Sequence, residues 1–95
     1  MPRARMFTVF AYDISDDRKR RRVATILEDS AVRVQNSVFE AWLSARQTEA
    51  LKRRIEVLLV AGDNLRIYVL AQSGLSRSSA FGGPALGSTQ TFLLI

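Results

Sequence analysis

The chain has 95 residues, neither cysteine nor histidine, and a formal net charge of +5, with 12 arginines among its 14 cations. That length makes one small domain with a modest core; the 47% hydrophobic content excludes a disordered chain, and no apolar run is long enough to cross a bilayer. A disulfide framework, a thiolate zinc site and histidine acid–base chemistry are all excluded, which leaves hydrolysis to a metal-activated water, a shifted carboxylate or an arginine that stabilises charge.

Arginine presents a planar fork that fits phosphate oxygens, so the cation bias favours a nucleic-acid partner; a GC-rich genome enriches arginine as well. Arg3 and Arg5 precede a strand and not an apolar leader segment, Met6 is a candidate internal start, and residues 1–5 read as a frayed extension. The expected compartment is the cytoplasm.

Met6–Ile14 reads as the first strand, with Phe7, Val9 and Ala11 on one face and Met6, Phe10, Tyr12 and Ile14 on the other. Two apolar faces mark a central strand covered on both sides. Ser15 is the expected N-cap, and Asp16 and Asp17 stand where a helix dipole favours negative charge. The helix runs to about Ser30, burying Val23, Ala24, Ile26 and Leu27 and turning most of the basic run Arg18-Lys19-Arg20-Arg21-Arg22 to solvent.

Ala31–Leu43 is strand-like, and Asn36-Ser37 predicts a hairpin of Val32–Gln35 against Val38–Leu43; a single bulged strand is the competing reading. Ser44 and Gln47 form a capping box, and the second helix is expected to reach about Val60 with Thr48, Leu51, Ile55, Leu58 and Leu59 on one stripe. Gly62-Asp63-Asn64 ends it, and Leu65–Ala71 follows as a strand. Residues 73–88 hold four of the five glycines with five serines and Pro84, a flexible loop or short strand, and Thr89–Ile95 returns to strand composition.

The order β-α-β-β-α-β is that of an α+β, ferredoxin-like sandwich with an additional C-terminal strand. Two helices cover one face of such a sheet. The second apolar face predicts a homodimer, with Phe10, Tyr12 and Tyr68 as expected contributors and residues 89–95 exchanged onto the partner.

Tyr12-Asp13-Ile14-Ser15-Asp16-Asp17 with Arg20 and Arg22, then Arg33-Val34-Gln35-Asn36-Ser37-Val38-Phe39-Glu40, then Arg66-Ile67-Tyr68, resemble the CRISPR-associated Cas2 family from Met6 to about Gln72. That resemblance implies a homodimeric ferredoxin-like protein of the spacer-acquisition stage of antiviral defence. It implies a metal-dependent endonuclease on RNA or DNA, or alternatively a non-catalytic DNA-binding adaptor that bridges the CRISPR integrase dimers. By the same resemblance Asp13 is the metal ligand, one Mg²⁺ being shared by the two copies at the dimer axis. Tyr12, Arg20, Arg22, Arg33 and Phe39 complete the implied catalytic set. Arg18, Lys19, Arg20, Arg22 and Arg33 are the nucleic-acid-binding candidates. Asn36 stands where many members carry tyrosine. Read without the resemblance, Asp13 is a helix-capping or turn carboxylate and the basic run a solvated helix face.

Overall fold

The computed structural model describes residues 5–70 and 79–81. Five strands and two helices follow in the order β1 (Met6–Asp13), α1 (Asp17–Glu28), β2 (Val32–Gln35), β3 (Val38–Leu43), α2 (Ala45–Glu56), β4 (Asn64–Leu70) and β5 (Ser79–Phe81). The strands form one antiparallel sheet in the order β2-β3-β1-β4-β5. This is the ferredoxin-like arrangement: α1 leads from β1 to β2 while β3 lies between those two strands.

β1 is central, and its register places Phe10 opposite Phe39 of β3 and Ile67 of β4. These side chains join Tyr12, Leu43, Leu65 and Val69 from the sheet and Ile14 from the β1–α1 loop with Val23, Ala24, Leu27, Leu51 and Ile55 from both helices in one core. Tyr12 and Phe10 therefore face the helices, which corrects their expected place on the opposite, partner-facing side. The other face carries Phe7, Val9, Trp42 and Tyr68, since side chains alternate along each strand. There Phe7 and Trp42 meet with ring centroids 5.4 Å apart, and Trp42 stays 63% exposed.

The hairpin forms with the expected bounds, which overturns the reading as a single bulged strand; within the hairpin the register shifts between Arg33 and Gln35 of β2. The first cap differs by one residue. Asp16, not Ser15, accepts the Lys19 amide at 2.7 Å, because its carboxylate reaches the third amide of a helix that starts at Asp17. Ser44 and Gln47 close the second cap reciprocally, at 3.2 and 2.8 Å.

α2 ends at Glu56, four residues before the expected boundary. Leu58 and Leu59 bond to the carbonyls three residues back, and Asp63 receives the Val60 amide at 3.0 Å. Tightened turns thus replace the last turn of α-helix, and Gly62 adopts φ 96°, a conformation that favours glycine. Within the glycine- and serine-rich stretch, residues 79–81 pair as β5 with β4. The expected exchanged strand at 89–95 lies outside the described residues.

Leu27 is fully buried between α1 and the sheet. Leu27→Ala is expected to lower unfolding free energy by about 2–5 kcal/mol, the usual range for a truncated core leucine, as read from urea denaturation.

Candidate functional site

β1 delivers its last two side chains to opposite environments. Tyr12 turns into the core and is 5% exposed, whereas Asp13 emerges at the strand end and is exposed. The Tyr12 amide donates to the Ser37 carbonyl at 3.1 Å, which ties the β2–β3 turn to the end of β1. The result is an open cleft of about 480 Å³ whose walls include Tyr12, Asp13, Arg20, Arg33, Asn36 and Ser37.

Arg20 is held in place by the β1–α1 loop. Its guanidinium donates to the Ile14 carbonyl at 2.8 Å and the Ser15 carbonyl at 3.4 Å, and it pairs with Asp17. Arg33 lies over the Phe39 ring, 5.2 Å from its centroid, and reaches Glu28 at 3.6 Å. Phe39 also stacks on Tyr12 at 6.3 Å with the planes 20° apart. Phe39 is itself fully buried and forms the platform that Tyr12 and Arg33 pack against. Burial pushes the Tyr12 phenol up from its ordinary 10.0, and the positive charge of Arg33 offsets part of that rise.

Asp13, Tyr12, Arg20 and Arg33 are thus brought together, with Phe39 behind them. Arg22 is not: it borders a separate groove between the helices, beside Arg54 and Val57. Arg18 is exposed on the first turn of α1. Lys19 is committed elsewhere, because its ammonium binds buried Asp63 at 3.2 Å and so clamps α1 to the α2–β4 turn. Arg21 was not singled out from the sequence, yet it lines the cleft. The signal was available, since Arg20, Arg21 and Ala24 fall at i, i+1 and i+4 on one helical face.

Asp13 makes no side-chain hydrogen bond or ion pair among the described residues, whereas Asp16 caps α1, Asp17 pairs with Arg20 and Asp63 pairs with Lys19. Its hard oxygen donors suit Mg²⁺, which binds through one or two carboxylates and keeps several waters. Among the described residues, no three acidic, histidine or cysteine side chains gather to form a metal cage, and Asp13 is the acidic side chain among those that line the cleft. No helix among the described residues is long and apolar enough to cross a membrane.

The domain is thus ferredoxin-like, with a carboxylate at the end of its central strand in a cleft that Arg20, Arg21 and Arg33 also line. The sequence then gives the family: the model for CRISPR associated protein Cas2 matches residues 6–77, and this chain belongs to that family. It is 41% identical over 88 residues to a CRISPR-associated endoribonuclease Cas2 of Chloroflexus aurantiacus, covering 92% of this chain and 91% of that protein. Similarity to a CRISPR-associated endonuclease Cas2 of Thermus thermophilus reaches 48% over 68 residues, 70% of this chain and 74% of the relative. Among solved structures, Streptococcus pyogenes Cas2 superimposes with a TM-score of 0.63, at 29% identity over 70% of this chain and 87% of that one.

Asp63 supplies a pH test. The Val60 amide, then the Lys19 ammonium, hold its carboxyl below the ordinary 3.8 against the opposing effect of burial. A depressed folded value adds stability that is complete above the unfolded value and is lost as pH falls through the folded one. Asp63→Asn is therefore expected to lower Tm at pH 7, and the gap to wild type should narrow as pH drops below 3.8. Thermal melts across pH 2–7 read this directly, and a constant gap would be the contrary result.

Proposed function

We propose that this protein is a metal-dependent endonuclease acting on phosphodiester bonds of RNA, with DNA as a second possible substrate, at the spacer-acquisition stage of CRISPR defence in the cytoplasm. The observation that carries this reading is the exposed Asp13 carboxylate, uncommitted among the described residues, in a cleft that Arg20, Arg21 and Arg33 also line. The relatives' names, endoribonuclease and endonuclease, support the same class of reaction.

Asp13 would hold Mg²⁺, and the chemistry such an ion would supply is a more acidic water and neutralised charge on a phosphoryl oxygen. Arg20, already positioned by the Ile14 and Ser15 carbonyls, binds a non-bridging phosphate oxygen without first losing much side-chain freedom. Arg33 supplies a second guanidinium from the opposite wall, oriented by Phe39. Tyr12 packs against Phe39 and sets the floor of the cleft. The chain has no histidine, so no imidazole carries a proton in this cleft.

A homodimer completes the ligand set, because a second chain brings a second Asp13. The surface that supports this pairing is the sheet face remote from the helices, where Trp42 and Val32 are 63% and 69% exposed. Sedimentation is expected to show a dimer at micromolar concentration, and Trp42→Arg should shift it toward monomer. A wild-type monomer would overturn the pairing.

The alternative is an adaptor that binds duplex DNA and bridges CRISPR integrase subunits. Its support is the second arginine site, Arg22 with Arg54, on a groove away from Asp13. One experiment separates the two readings. Asp13→Ala is expected to abolish Mg²⁺-dependent cleavage of RNA while leaving fold and nucleic-acid affinity intact, whereas Arg20→Ala with Arg22→Ala weakens binding and flattens its salt dependence. Full activity in Asp13→Ala would remove Asp13 as ligand, and an inactive wild type would leave the adaptor reading.

A further inference from the structure

The Tyr12 hydroxyl is buried and has no hydrogen-bond partner among the described residues, in a side chain that lines the cleft. A buried phenol left without a partner is costly, and native proteins rarely carry one without a ligand or water to receive it. Phe39 offers only its ring to Tyr12. The charges that act on the hydroxyl are those of Arg33, Glu28 and Arg20. Two of these are cations of the same cleft, and the third is the carboxylate that now engages Arg33 at 3.6 Å.

We propose that the cleft contains a discrete phosphate subsite in which the Tyr12 hydroxyl donates a hydrogen bond to a phosphate oxygen, Arg20 and Arg33 supply the charge, and Glu28 competes for Arg33. The inference rests on reading this cleft as the nucleic-acid site, and adds where a phosphate group sits. A phenol is a protonated donor at neutral pH and matches an anionic acceptor with a short, charge-assisted bond. Arg20 is preset by two backbone carbonyls. Arg33, 44% exposed and held to Glu28 by one long ion pair, is the wall that can shift to admit the ligand. Asp13 lies on the same cleft but repels a phosphate in the absence of a cation, which divides the cleft into an anion half and a cation half.

Tyr12→Phe removes only the hydroxyl and so tests the donor. Binding is followed by NMR titration in the presence of a chelator, so that cleavage plays no part, with inorganic phosphate in one arm and a short single-stranded oligonucleotide in the other. Tyr12→Phe is expected to bind about tenfold more weakly, as for the loss of one hydrogen bond to a charged group, while its Tm stays level or rises by about 4–8 °C because an unpartnered buried hydroxyl is gone. Glu28→Gln should tighten binding by freeing Arg33. A Tyr12-dependent response to the oligonucleotide alone assigns the subsite to a phosphodiester within a strand; a response to both assigns it to phosphate in general. Unchanged affinity in Tyr12→Phe overturns the subsite while leaving the nucleic-acid reading intact. A fall in its Tm overturns it too, by showing that the hydroxyl has a structural partner. Failure of the wild type to bind either ligand removes both.

Discussion

The backbone bond from the Tyr12 amide to the Ser37 carbonyl, 3.1 Å long, is the constraint on which the cleft depends. β1 pairs with β3 on one side and β4 on the other, so its position is set by two ladders. The tie to Ser37 then extends that rigidity past the last ladder pair and fixes the hairpin turn against the strand end. Because α1 begins four residues later, its first turn must approach the same point. Strand end, turn and helix start converge there because each is anchored separately, and Asp13 is the side chain left facing outward.

The cations around that point fall into two groups. Lys19 and Arg20 are committed to internal partners: one to a buried carboxylate, the other to loop carbonyls. Such groups lose little entropy on meeting a ligand, but Lys19 has given up its charge to Asp63. Arg18, Arg21 and Arg22 project from the helix without a side-chain ion pair among the described residues. Long exposed side chains of this kind contribute mainly through counterion release and steering, which are general to any phosphate backbone. Arg20 is thus preset by the loop and Arg21 lines the same cleft, while Arg18 and Arg22 lie outside it.

Much of this was legible in particular residues. The Ser44/Gln47 capping box could be read because all its partners lie within one turn of chain. The Asn36-Ser37 turn could be read because it interrupts two β-rich runs. The alternation along β1 correctly separated Phe10 and Tyr12 from Phe7 and Val9, yet it could not say which set met the helices. The choice of Asp16 over Ser15 as cap was also hidden, since both residue types cap well and only the helix start decides. Arg22 and Arg20 looked equivalent in the basic run, but two positions on a helix are 200° apart and face different grooves.

By itself the sequence determined the class of fold, the order of its elements and the chemistry available. Those follow from local periodicity, from capping residues and from an inventory with abundant arginine and no histidine or cysteine. The tertiary structure alone decided which arginines share a cleft with Asp13, that Phe39 is a buried platform, and that Asp63 holds Lys19 across 44 residues of chain. Those facts depend on distances between elements far apart in sequence. Such distances arise only when the sheet register and the packing of both helices are set together, and no local pattern encodes them.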